Sequence, residues 1–318
     1  MVALPFDGRT SGPAAVTGPD AGNGYTALRE GAAWLDVSAR GRIRVTGEDR
    51  ARLLHALTTN HIQQLQPGES CYAFFLSAQG RVLADANVFC QPDHFLLDTE
   101  PETARKVLDH LDRYIIADDV TVEDIAPGTA AIAVSGPRAA EVAGAGEGSL
   151  VLDVSLTGGP GWMIIVPVQE RDGLVRQLES AGAVAATAED FRVVRLENGR
   201  PRYGDDISER YLAQETNELR ALHFQKGCYL GQEIVERVRS RAQIHRMLMS
   251  LRIEGLEPPA PGTKLQVEGR DVAEITSAAY SPAVGQVVAL AYVRNEHAHE
   301  GVVLDLTGRR AVVSAPST

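Results

Sequence analysis

KGCYLGQEIVERVRSRAQIHRMLMSLRIEG, residues 226–255, contains the point where one kind of chain gives way to another. As far as Arg241 it reads as a glycine-rich turn and then a helix. Glu233 stands four residues before Arg237, so the two charges share a helix face. From about Met247 the pattern becomes that of short strands broken by Gly and Pro: LMSLRIEG (248–255), TKLQVEG (263–269), DVAEITSAAYS (271–281), VVALAYVR (287–294), GVVLDLTG (301–308) and RRAVVSA (309–315). These predict a separate small all-β domain, a barrel, over residues 246–318. Upstream, strands and helices alternate. GRIRVTG (41–47) sets Ile43 and Val45 against Arg42 and Arg44, and CYAFFLS (71–77), RVLADANVF (81–89) and HFLLDTE (94–100) are further strands. PETARKVLDHLDRYII (101–116) and AEDFRVVRLENG (188–199) read as helices. The fold class is therefore α+β, with sheets covered on one face over residues 23–245. Residues 1–22, rich in Gly, Pro, Ala and Thr, read as a mobile tail.

Composition narrows the function classes. The net charge is −11, which argues against a general nucleic-acid surface. No stretch approaches the ~20 apolar residues of a membrane helix. The opening MVALPFDGRTSG has neither the basic nor the apolar region of a secretory signal. Three cysteines, Cys71, Cys90 and Cys228, make no disulfide framework, so a reducing cytoplasm is the expected location. There is no CxxC or HExxH, and three thiols in one chain cannot furnish a four-thiolate cluster; no metal ligands are assigned.

Within the opening octapeptide, Cys228 precedes a helix start and follows Lys226. Both the helix dipole and the lysine favour a thiolate. Glu197 ends a predicted helix, where a carboxylate is electrostatically unfavourable unless it has a purpose, such as binding a heterocycle with paired N–H donors. Arg237, Arg239, Arg241 and Arg246 form a basic strip suited to an anionic group. His55 and His61 flank LTTN without a metal-ligand partner and read as surface or capping residues.

The motifs together resemble a known family. KGCYLGQE is similar to the signature of the YgfZ-type folate-binding proteins, relatives of the T-protein (aminomethyltransferase) of the glycine cleavage system. RGRIRVTGEDRARLLHALTTN (40–60), QGRVLAD (79–85) and RLENGRPRYGDDI (195–207) extend the likeness over nearly the whole chain from Tyr25. The resemblance implies that residues 23–245 are an interleaved, ferredoxin-like core of two lobes around a central opening, followed by a C-terminal barrel. It implies tetrahydrofolate as the small molecule bound, with Glu197 on the pterin, Arg239 or Arg241 on the glutamate tail, and Asp85, Tyr229 and Gln232 as further contacts. Cys228, with Lys226, would be a thiol beside that cavity. The implied role is support of iron–sulfur cluster assembly or repair and, indirectly, of tRNA modification. Its partners would be iron–sulfur proteins or cluster-assembly factors, with no direct nucleic acid and no membrane. The alternative is a folate-dependent aminomethyltransferase or demethylase. Against that alternative, the enzyme's Asp-Asp pair is reduced here to Asp85, and its G-E-x-G-x-E run is replaced by Gly158–Met163. Aminomethyl transfer needs placed acid–base groups.

Overall fold

The computed structural model describes residues 22–144, 149–241 and 244–314, with nothing stated of the Arg241 side chain. Apart from Gly22, the tail expected at residues 1–22 lies outside the described residues. The first half runs α1 (Asn23–Glu30), β1 (Ala33–Asp36), β2 (Gly41–Thr46), α2 (Arg50–Leu57), β3 (Ser70–Leu76), β4 (Val82–Cys90), β5 (Phe95–Thr99), α3 (Ala104–Tyr114) and β6 (Thr121–Asp124). It continues through β7 (Thr129–Ser135), α4 (Ala139–Val142), β8 (Leu150–Asp153), β9 (Gly161–Pro167), α5 (Arg171–Ser180), β10 (Val184–Ala185), α6 (Ala188–Glu197) and α7 (Gln232–Arg241). The six last strands are β11 (Arg246–Ile253), β12 (Lys264–Val267), β13 (Arg270–Ser281), β14 (Gln286–Arg294), β15 (Val303–Leu306) and β16 (Arg309–Ser314).

Two five-stranded sheets form the lobes, ordered β10-β1-β7-β9-β8 and β3-β4-β5-β2-β6. They are interleaved, because β1 joins one sheet and the next strand, β2, joins the other. The last six strands close a barrel, β11-β14-β13-β12-β15-β16. Pairing is antiparallel throughout, except for the short parallel contact of β1 with β10. This is the α+β core with a C-terminal barrel that the strand pattern implied.

The strict alternation expected of GRIRVTG fails at Arg42. Ile43 and Val45 are buried as predicted, but Arg42 is fully buried too. Its guanidinium donates to the carbonyls of Arg40, Ser38, Ala126 and Thr129 and to the Thr129 hydroxyl, at 2.8–3.1 Å. At Arg42 the far face of this sheet is covered by the other lobe, whereas Arg44 on the same face is exposed and pairs with Glu123 at 2.6 Å. An arginine can occupy a buried place such as that of Arg42 only because its donors find acceptors there.

One apolar cluster crosses all three units. It joins Phe89 and Leu96 of the second sheet, Ala131, Met163 and Ile165 of the first, Phe191 and Val194 of α6, and Leu248, Ala279, Leu290 and Tyr292 of the barrel. α6 lies at this junction. Its N-terminus is fixed by a capping box in which the Thr187 hydroxyl accepts from Asp190 N at 3.1 Å and the Asp190 carboxylate accepts from Thr187 N at 2.8 Å. Such a cap contributes about 1 kcal/mol.

Candidate functional site

The residues of α6 divide by face. Ala188, Phe191, Arg192 and Arg195, at helical spacing, look into a cavity of about 420 Å³ between the lobes. The other walls come from Leu35 to Val37 at the end of β1, Arg40 just before β2, Tyr72 on β3, Asp85 and Asn87 on β4, Glu100 after β5, and the loop bearing Arg200, Arg202 and Asp205. A second space of about 690 Å³ adjoins it; Tyr72, Asn87, Ser155 and Arg200 line both. Of the residues singled out from the sequence for the site whose side chains are described, Asp85 alone lines either space.

Asp85 is buried, with its Oδ2 accepting from the Tyr72 hydroxyl at 2.6 Å. Its Oδ1 has no partner. Burial, and then the nearby Glu100 and Asp98, push its pKa up to about 6, against the Tyr72 hydrogen bond and Arg40. The carboxyl is therefore poised to take or give a proton near neutrality. Behind it lies a fixed ionic frame. Arg40 forks onto Asp98 at 2.7 and 2.8 Å and reaches Glu100 at 2.5 Å. Asn87 donates to Asp98 at 2.9 Å, and Arg202 pairs with Glu100 at 2.8 Å. Despite burial, Arg40 and Arg202 hold the Glu100 carboxyl below its usual range.

The signature octapeptide packs elsewhere. Lys226 is buried, and its ammonium donates to the carbonyls of His55 and Thr58 at the C-terminal end of α2, where a cation is favoured. Burial pulls its pKa down to about 7. Its Nζ also lies 4.8 Å from the Tyr229 ring. Lys226 thus caps a helix rather than facing the Cys228 thiol. Cys228 is exposed and lines neither space. The thiol that does line the second space is Cys71, which burial pushes up to about 12. Sequence reading missed it because a cysteine within a strand has no local mark.

His55 is likewise not a surface residue. It is buried, and its Nε2–H donates to the Lys226 carbonyl at 2.8 Å, so α2 and the signature hold each other from both sides. His61 packs edge-on against it at 4.6 Å. α7 follows the signature, with Gln232 at its start, and covers the β3–β4 turn. A Cβ on Gly80 would meet Ile234 at 2.8 Å, and one on Gly231 would meet the Ser77 carbonyl at 2.7 Å. The β3–β4 turn and the start of α7, about 150 residues apart, therefore pack against each other. Arg239 pairs with Glu236 at 2.8 Å and lies over Phe224 at 5.4 Å; the predicted Glu233–Arg237 pair forms at 2.5 Å. Tyr229, Gln232 and Arg239 line neither space, and the Arg241 side chain lies outside the described residues.

Glu197 also departs from its expected place. Its Oε1 accepts from Tyr25 at 2.5 Å and Ser281 at 2.6 Å, and its Oε2 meets Arg29 at 3.2 Å. Its side chain is 4 % exposed and lines neither cavity. The cost of a carboxylate at a helix C-terminus is offset by tying α1, α6 and the barrel together. Among the described residues, no group of three or more His, Cys, Asp or Glu side chains is arranged to hold a metal ion.

Residues 14–149 match the model of the GCVT N-terminal domain, and residues 246–316 match that of the glycine cleavage T-protein C-terminal barrel domain. An aminomethyltransferase of Streptomyces avermitilis is 30% identical over 317 residues, covering 89% of this chain and 85% of its own. The chain belongs to the glycine cleavage T-protein family. A Streptomyces coelicolor aminomethyltransferase is 29% identical with the same coverage. A chloroplastic protein of Arabidopsis thaliana named as a transferase is 27% identical, and the chain spans 62% of its length. The crystal structure of the glycine cleavage system aminomethyltransferase T from Bartonella henselae has the same T-protein fold, with a TM-score of 0.84 over 92% of this chain and 88% of that one, at 20% identity. As in the sequence, no helix among the described residues is long and apolar enough to cross a membrane.

Proposed function

We propose that the chain binds a reduced folate in the cavity between the lobes and moves a one-carbon unit between that folate and an amine-bearing donor. The observation that carries this is Asp85: a carboxyl with one free oxygen, buried at the cavity wall and titrating near 6, in a family whose relatives are named aminomethyltransferases. Tetrahydrofolate suits the residues present. Leu35, Val37 and Phe191 offer apolar contact to a flat ring, the Asp85 oxygen accepts from an N–H, and Arg192 and Arg200 can meet carboxylates.

In an aminomethyl transfer, two N–H bonds of the folate are replaced by two bonds to one carbon. The two protons pass to the departing amine and to the carrier group, with no net oxidation. A carboxyl near pH 6 can hold and release such a proton at physiological pH. Sequence reading counted the missing carboxylates against this chemistry. The fold brings Asp36, Glu100 and Asp205 to the same cavity from other segments, but each is held in an ion pair with arginine, so the proton handling falls to Asp85.

The iron–sulfur accessory role is the weaker reading. It required a reactive thiol at the folate site, yet Cys228 lies outside both spaces and burial keeps Cys71 protonated. The test is calorimetric titration with tetrahydrofolate, and turnover with an aminomethyl donor. The expected result is saturable binding by the parent and by Asp85→Asn, with turnover lost in the variant. Absence of tetrahydrofolate binding by the parent protein overturns the proposal.

A further inference from the structure

Tyr72 is one of four residues that line both cavities, and its two ends do different things. Its hydroxyl is the sole hydrogen-bond partner of the Asp85 carboxyl among the described residues, at 2.6 Å. Its ring is met by two guanidinium groups, Arg220 at 4.3 Å and Arg200 at 5.2 Å from the centroid. Those two arginines are bridged in turn by one oxygen of Glu218, at 2.8 and 3.3 Å. Glu218 and Arg220 line the second space only, and Asp85 the first. Pocket walls made for shape alone do not need a buried phenol held between a carboxyl and two cations.

We propose that Tyr72 is a positioning residue that fixes the orientation and sets the proton affinity of Asp85, with Arg200 and Arg220 strengthening the phenol as a donor. This rests on the reading of Asp85 as the proton-handling group. The physical basis is direct. A hydroxyl donating to a carboxylate stabilises the charged form and lowers its pKa. Cations against the ring face draw electron density from the phenol and make it a better donor. The donated bond holds Oδ2 inward, so the free Oδ1 has one direction left to face. The charged and titratable groups acting on Asp85 are Glu100 and Asp98 from the β5 side, Arg40 from the β1–β2 side, and Tyr203, whose own hydroxyl is turned to the Leu83 carbonyl at 2.6 Å. None of these donates to the carboxyl; among the described residues Tyr72 alone does.

The consequence is a link between the spaces. An anionic ligand group entering the second space would compete with the Tyr72 ring for Arg200 and Arg220. It would thereby weaken the phenol as a donor and raise the pKa of Asp85 in the first.

The experiment is a carboxyl-carbon NMR titration of the folate-free protein, with the Asp85 resonance assigned by its loss in Asp85→Asn. Tyr72→Phe is expected to move the Asp85 midpoint upward by about one pH unit, the size of one charge-assisted hydrogen bond. Site-specific replacement of Tyr72 by 3-fluorotyrosine, a near-isosteric and more acidic phenol, is expected to move it downward. Displacements of the same sign in both variants, or none in either, overturn the proposal. If the phenylalanine variant does not fold, the fluorinated protein alone decides: a downward shift supports the role, and an unchanged midpoint ends it. No folate enters these measurements, so their failure is distinct from a failure of tetrahydrofolate to bind.

Discussion

Asp85 and Lys226 are buried ionisable groups whose costs have opposite pH dependence. The Asp85 pKa rises from 3.8 to about 6 on folding, because burial and then Glu100 disfavour the carboxylate. Between those values the folded chain binds more protons than the unfolded one. Its contribution is therefore present below pH 3.8 and lost as pH rises through 6. Asp85→Asn is expected to stabilise the protein by about 1–3 kcal/mol at pH near 8 and by almost nothing at pH near 3.5, read from urea unfolding at both. An equal gain at the two pH values would put the effect in packing instead. Lys226 goes the other way, from 10.5 down to about 7. The folded chain binds fewer protons across that window, so wild-type stability rises with pH through it. Lys226→Met should abolish that slope while lowering stability below the parent's, because the His55 and Thr58 carbonyls lose their donor. A variant that keeps the slope would assign it to other groups.

The scale of elements shows what periodicity carries and what it misses. Helices α3 and α6 and the strands β3, β4 and β5 were legible, because each repeats apolar residues at its own period over enough residues to stand out. Their neighbours were not. Arg42 reads as the outward residue of a strand, His55 as a surface or capping residue, and Lys226 as a partner for Cys228. Each acts on segments between 84 and 171 residues away, a relation no local pattern records. The same holds for the site. Asp85 is picked out only through the family resemblance, as the remnant of an Asp-Asp pair, and Tyr72 looks like any strand tyrosine. The contact of α7 with the β3–β4 turn offers a test at this scale. Gly80 and Gly231 both have positive φ, of 71° and 84°. Alanine at Gly231 would press on the Ser77 carbonyl, which is backbone and cannot turn aside; alanine at Gly80 would press on the Ile234 side chain. Each should cost about 1–3 kcal/mol, with Gly231→Ala the larger, measured by chemical unfolding. If Gly231→Ala proves neutral, α7 is not seated on that turn.

At the scale of the molecule, the barrel is attached to the lobes by polar groups set into an apolar junction. The cluster that crosses all three units excludes water from it. Within it, Asp206 is fully buried and accepts from Arg195 at 2.5 Å, Thr276 at 2.6 Å, Ser277, and the Arg202 backbone at 3.1 Å. Thr276 and Ser277 belong to β13 of the barrel, and Arg195 to α6, whose guanidinium also lines the first cavity. One carboxylate thus fixes the barrel, the helix and a cavity wall together. Removing it takes one acceptor from a buried guanidinium that keeps Asp205 and the Arg200 carbonyl, one from Thr276, which keeps the Leu290 carbonyl, and the acceptor of Ser277, a loss of about 1–3 kcal/mol. The loss falls on the junction and not on the interior of the barrel, whose own core of Met249, Leu251, Val287 and Ala289 is untouched. Asp206→Ala is therefore expected to split a single calorimetric unfolding transition into two, with the core melting below the barrel. It should also weaken tetrahydrofolate binding by freeing Arg195. A variant that melts in one transition at the parent's temperature would mean that the apolar junction alone couples the barrel to the lobes.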